Sequence, residues 1–237
     1  PVPGDLLLVL APHAGGAIMW ELVARLASRG SVRLLDGGNC FDVYKCNLAV
    51  GQALGGRTAD LPAVLERIRL SRAFTCYQLV ALLKSTPAEP VPTLVLDLLS
   101  TFYDENVSAE ESLRLLQECI AHLQRLNRLA PVAASIRPGP PESRPELLKA
   151  MLEAASQAPS LRGFINISTS SVYGTYATGD EATEPKPTSY YGVTKLAAEQ
   201  LVLSYQRARG LPASSLRLFS VYGPRERPEK LYSKLIR

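Results

Sequence analysis

The sequence predicts an α/β fold, a three-layer α/β/α sandwich on a mostly parallel sheet of six or seven strands. Short apolar runs alternate along the whole chain with longer segments whose apolar residues recur at helical spacing. Those runs, residues 6–10, 93–98 and 131–136 among them, are apolar nearly throughout rather than at every second position, so both faces of each strand must be covered, as in parallel sheets packed between helices. With 237 residues, 46% of them hydrophobic, the chain is long enough to bury such a core as a single α/β domain.

Residues 5–10 read as the first strand, and 17–28 as a helix with Ile18, Leu22, Val23 and Leu26 on one face. A second buried strand over 31–35 ends at Asp36-Gly37-Gly38-Asn39, and a helix over 42–54 stops at Gly55-Gly56. Residues 68–74 are a weaker strand, because 61–70 also fits a helix. A helix over 75–84 is broken by the prolines at 87, 90 and 92. A strand over 93–98 contains Asp97, and 108–129 is a long amphipathic helix with Ser108 as N-cap and Glu110 and Glu111 in its first turn. Strand 131–136, a proline-rich loop over 137–145, helix 146–155, strand 163–167, helix 190–209 and strand 214–219 complete the alternation.

Composition narrows the function. A net charge of +4 spread over many positions favours solubility and argues against a dedicated nucleic-acid surface. Cys40, Cys46, Cys76 and Cys119 form no Cys-x-x-Cys pair, and with only His13 and His122 to join them they read as reduced thiols rather than metal ligands. The apolar run near the start is too short to span a bilayer and lacks the flanks of a signal peptide, which points to a cytoplasmic protein. The chain opens at Pro1 without methionine, as a trimmed chain would.

Three strand ends are candidate nucleotide contacts. The turn 11–17 leads into a helix N-terminus, where α/β proteins hold phosphate; aligned as a P-loop on Gly16, it has Ala17 and Ile18 in place of the lysine and hydroxyl. Aligned as a dinucleotide fingerprint, it has His13, Gly16 and Met19 where three glycines belong, so only Gly16 is kept. Asp36 ends the second strand, where a carboxylate meets an adenosine ribose, although Asp-Gly-Gly-Asn is equally a turn. Asp97 ends a buried strand and reads either as a magnesium-associated carboxylate or as a strand-end acid.

The richest stretch is 168–195. Ser168-Thr169-Ser170-Ser171-Val172-Tyr173-Gly174 follows a strand, and Tyr191-Gly192-Val193-Thr194-Lys195 opens a helix. Tyr191 and Lys195, four residues apart, project on one helix face, where the ammonium can lower the phenol's pKa and make it an acid or base near neutrality. Thr169 can hydrogen-bond the same substrate oxygen.

With residues 216–224 downstream, these motifs stand in the order and spacing of the extended short-chain dehydrogenase/reductase family, the nucleotide-sugar epimerases and dehydratases, which residues 147–228 resemble. The resemblance implies Thr169 as the hydroxyl assisting proton transfer, Tyr191 as the catalytic acid/base and Lys195 as the group that binds the nicotinamide ribose and tunes Tyr191. It implies NAD as cofactor, with Ser168 at its site and Tyr222, Gly223 and Pro224 beside the nicotinamide end, and a nucleotide sugar as substrate. Ser170 and Ser171 stand where dehydratases carry Asp-Glu, which favours an epimerase-like ancestor, and Ser220 replaces the usual asparagine. An extended dehydrogenase also carries most of a substrate domain beyond residue 237.

Residues 6–138 resemble instead a RecA-like recombinase ATPase core, through residues 66–74 and the following helix, through Leu94-Val95-Leu96-Asp97 and through strand 132–136. The expectation is therefore a chimera, built or selected, of a RecA-like segment over 1–145 and a dehydrogenase-like segment over 146–237. Such a molecule carries the Thr-Tyr-Lys signature with a degenerate phosphate loop and lacks full activity of its own. A RecA-like nucleotide or DNA binder is the alternative.

Overall fold

The computed structural model describes residue 4 and residues 6–11, 16–137, 144–159 and 161–219. Seven strands pair in one sheet: β1 (Leu6–Leu10), β2 (Val32–Asp36), β3 (Ile68–Arg72), β4 (Thr93–Leu96), β5 (Val132–Ile136), β6 (Leu161–Thr169) and β7 (Ala213–Leu218). Every pairing is parallel, in the order β3-β2-β4-β5-β1-β6-β7. The predicted α/β sandwich is thus the observed one.

Helices α1 (Ala17–Ala27), α2 (Val43–Ala53) and α3 (Leu61–Leu65) share one apolar layer with Val9, Leu34, Leu94 and Leu96. Helices α4 (Cys76–Ser85), α5 (Ala109–Asn127), α6 (Pro145–Ser156) and α7 (Tyr190–Arg209) pack with Leu8, Leu35, Val95 and Phe164 in the other layer. Successive side chains of β1 and β4 feed opposite layers, which is why apolar residues run consecutively along these strands. The helices start where short polar side chains can satisfy the first free N–H groups. Asp42, Thr75, Ser108 and Ser189 each accept from the backbone N–H three residues on. At the far end of α7, Gly210 takes the left-handed conformation (φ 66°) that closes the helix.

The stretch 61–74 holds both of its predicted elements, with α3 leading into β3 after two residues. As the sheet edge, β3 leaves Arg69, Leu70 and Arg72 exposed, which explains its weak apolar signal.

Strand order is where local patterning and topology part. A dinucleotide-binding sheet runs 3-2-1-4-5-6 and keeps its first two strands adjacent. Here β4 and β5 lie between β2 and β1, so the carboxyl end of β2 is roughly 14 Å, three interstrand spacings, from that of β1. The ribose role considered for Asp36 has to be corrected on this ground and on its surroundings. Asp36 is fully buried; Oδ1 accepts from Cys40 N at 2.9 Å, and Oδ2 accepts from Phe41 N at 3.0 Å and Arg72 Nε at 3.0 Å. Its carboxylate is spent on holding the 37–41 turn.

Asp97 is similarly engaged. It is fully buried with a positive φ of 52°, and its oxygens accept from Arg137 N and from the Arg137 guanidinium. Burial raises its pKa against the opposing pull of Arg137. Burial, followed by the charges of Asp36 and Asp97, pushes the nearby Cys40 thiol up to about 12, as befits an unreactive reduced cysteine.

Candidate active site

The carboxyl ends of β1 and β6 are neighbours, Leu10 pairing with Asn166, and α1 starts beside them. Between them lies a cavity of ≈ 380 Å³ walled by Val9, Ile18, Met19, Ile167, Leu218 and Phe219, and reached by Gly16, Ser168, Thr169 and Tyr191. Four residues that the sequence marks as site candidates therefore border one space. Gly16 has an extended conformation (φ −52°, ψ 161°) as N-cap of α1 and offers no side-chain cap, so the first N–H groups of the helix are left to other partners.

Thr169 ends β6 in extended geometry, and its Oγ1 accepts from Ser171 N at 3.2 Å, starting the single 3-10 turn Ser170–Tyr173. Ser168 belongs to the opposite strand face, with Asn166 and beneath α7. Its Oγ is buried with no partner at hydrogen-bonding geometry, yet it sits near enough to help hold Glu199 ionised. Tyr191 is 51% exposed on the first turn of α7. That helix is brought close by Gly192: a Cβ there would stand 2.6 Å from Ser171 O.

Lys195 lies behind the cavity wall. It is 5% exposed, and its Nζ donates to Ile167 O on β6. Burial lowers its pKa to about 8, with the Glu199 charge opposing the fall. Because the folded-state value lies below that of an unfolded lysine, folding is penalised while the group must stay protonated, and the penalty lifts as pH rises from 8 to 10.5. The unfolding free energy of the native protein should therefore gain on that of Lys195→Met across this range, by at most about 3 kcal/mol. Chemical denaturation at pH 7.5 and 10 measures the gain, and parallel curves for the two proteins would contradict it.

The sequence reading missed the groups beneath Lys195. Glu199, one turn further along α7, is 1% exposed and pairs with Arg217 of β7, which donates from Nε at 3.1 and 3.2 Å and from Nη2 at 2.6 Å. Arg217 Nη1 donates to Tyr173 Oη at 2.8 Å and to Glu181 O at 3.1 Å, and Tyr173 Oη donates to Asp180 O at 2.8 Å. An acid four residues after the lysine and an arginine in the last strand were visible in the sequence. Their pairing needed the β6–β7 register.

Other candidates stand apart from this edge. His13, Tyr222, Gly223 and Pro224 lie outside the described residues. His122 packs near Glu118 of its own helix, and Arg114 pairs with Glu111 and Glu118, the solvated helix face expected of α5. Among the described residues no group of three potential ligands could hold a metal ion, and no helix is long and apolar enough to cross a membrane.

The fold and this edge define an α/β protein whose cavity is bordered by a Thr-Tyr pair over a buried lysine. Comparison with known proteins agrees for its second segment: residues 143–237 match the NAD dependent epimerase/dehydratase family. The uncharacterized UDP-glucose epimerase YtcB of Bacillus subtilis is 36% identical over 148 residues, 58% of this chain and 44% of that one. A trifunctional UDP-glucose 4,6-dehydratase/3,5-epimerase/reductase of Arabidopsis thaliana is 42% identical over 91 residues, 36% of this chain and 14% of that one. The chain thus spans less than half the length of these relatives. Among solved structures, the UDP-glucuronic acid 4-epimerase of Bacillus cereus in complex with NAD is 25% identical, with a TM-score of 0.46, over 98% of this chain and 61% of that one. A match over 58% of the chain cannot fit within residues 146–237, so the likeness to YtcB reaches into residues 1–145. The comparisons support the dehydrogenase-like part of the expected chimera and no other part of it.

Proposed function

We propose that the β1–β6 edge binds the nicotinamide end of NAD and acts on a nucleotide sugar as an epimerase or dehydratase does. The observation that carries this reading is the shared cavity: Gly16, Ser168, Thr169 and Tyr191 come from three separate parts of the chain and border one largely apolar space. Its apolar walls suit a nicotinamide ring, and the uncapped start of α1 at Gly16 suits phosphate. The adenosine end does not find its usual carboxylate, since Asp36 is buried, fully bonded and three strands away.

NAD, when bound, supplies a hydride acceptor that can return the hydride. The remaining chemistry falls to side chains of this protein. The Tyr191 phenol takes a proton from a substrate hydroxyl and gives it back, and the Thr169 hydroxyl hydrogen-bonds the same oxygen. Lys195, four residues along the helix, supplies the positive charge nearest to the phenol on the same helix. The apolar walls exclude water and strengthen these interactions.

The test is calorimetric titration with NAD. One-to-one binding that weakens at least tenfold in Lys195→Ala supports the reading, and an absence of heat at millimolar NAD ends it. A second reading, RecA-like ancestry and nucleotide binding for residues 1–145, is favoured by the placement of β4 and β5 between β2 and β1. It requires ATP binding in the same calorimeter, weakened in Asp97→Asn. We also propose that residues 1–145 and 146–237 act as one α/β domain, since β1 of the first pairs along its whole length with β6 of the second.

A further inference from the structure

Among the described residues no carboxylate lies at salt-bridge distance from Lys195, yet it is buried among groups that carry charge. On its own helix it is followed by Glu199 and preceded by Tyr191. From β7 comes Arg217, and from the 3-10 turn after β6 comes Tyr173. β6 offers the Ile167 carbonyl and the Ser168 hydroxyl. On α6, Glu153 is committed elsewhere, to Tyr205 and Arg209 near the far end of α7.

Glu199 therefore has a cation on each of two elements near it, Lys195 one turn earlier on α7 and Arg217 on β7. Arg217 is fixed from both sides, by two carboxylate oxygens and by Tyr173 Oη and Glu181 O. Burial pushes the Glu199 carboxyl up, but the hydrogen bonds from Arg217 outweigh it, with Ser168 and Ser215 close by adding to their effect, and hold the group ionised. Neither residue borders the cavity. We propose that the Glu199–Arg217 pair is a positioning device that keeps Lys195 cationic against its burial, with Glu199 supplying the attraction and Arg217 holding Glu199 ionised. The inference rests on the reading of Lys195 as the cation that tunes Tyr191.

Removing the carboxylate should then leave a buried lysine facing only Arg217, and its protonated form loses ground. A loss of packing, by contrast, hydrates Lys195 and raises its pKa whichever partner is deleted.

The experiment is NMR titration of the full chain with 13C-labelled lysine, the Lys195 signal being assigned by its loss in Lys195→Met. In Glu199→Gln the midpoint should fall by about one pH unit or more, and Glu199→Asp should restore most of the native value. A midpoint that rises or stays in place in Glu199→Gln overturns the proposal. The readout needs no cofactor. NAD binding that fails while the Glu199→Gln shift persists rejects the catalytic reading and leaves the pair's action on Lys195 standing.

Discussion

Gly192→Ala should destabilise the protein by about 1–3 kcal/mol, although helix propensity alone makes it stabilising by roughly 0.5–1 kcal/mol. The two effects have opposite signs, and the contact distances decide between them. A Cβ at Gly192 would stand 2.6 Å from Ser171 O and 2.9 Å from Pro187 Cβ, a backbone carbonyl and a ring with no flexible end to swing aside. Relief requires the first turn of α7 to move off the 3-10 turn that follows Thr169. Tyr191 sits on that first turn, so displacement by a fraction of an ångström separates the phenol from the Thr169 hydroxyl. Turnover, where it is measured, should fall on the order of 100-fold. Urea unfolding of the two proteins checks the first part, and a Gly192→Ala protein as stable as the native one would show that α7 does not press on Ser171.

Arg144→Met should cost about 3–5 kcal/mol, far above the few tenths usual for a surface arginine. The guanidinium donates from Nη1 to Phe102 O at 2.6 Å and to Ser112 Oγ at 2.7 Å, and from Nη2 to Asp104 O at 3.0 Å and to Val107 O. Phe102 and Ser112 are fully buried, so methionine would leave acceptors that water cannot reach. The residue stands at the first turn of α6, where the two sequence resemblances meet, and all four of its acceptors lie in residues 102–112. It fastens the start of α6 to residues 102–112. Guanidinium unfolding measures the cost, and a loss below 1 kcal/mol would mean that these contacts are not formed in solution.

The legible parts of this fold are those whose causes are local. The Ser108 cap and the amphipathic face of α5, the mostly apolar strands β1, β4 and β5, and the proline break after α4 each depend on neighbours in sequence. The Tyr191 and Lys195 spacing and the Thr169 strand end were readable for the same reason. What was not readable depends on strand order. Whether Asp36 meets a cofactor turns on whether β2 lies beside β1, and two strands from later in the chain separate them. Likewise Glu199 and Arg217 are 18 residues apart and become partners only because β7 pairs with β6 so that Arg217 stands opposite Ser168. The turn role of Asp36 was written locally in Asp-Gly-Gly-Asn. Choosing between that role and a ribose contact needed the sheet.

The central claim is that the cavity at the β1–β6 edge takes the nicotinamide end of NAD. A crystal structure of the full chain soaked in millimolar NAD tests it most directly. The account predicts a nicotinamide ring between Ile18 and Ile167, within hydrogen-bonding reach of Tyr191 or Thr169, and phosphate at the start of α1 by Gly16. Density over the end of β2 beside Asp36, or a cavity that stays empty at saturating NAD, would contradict it.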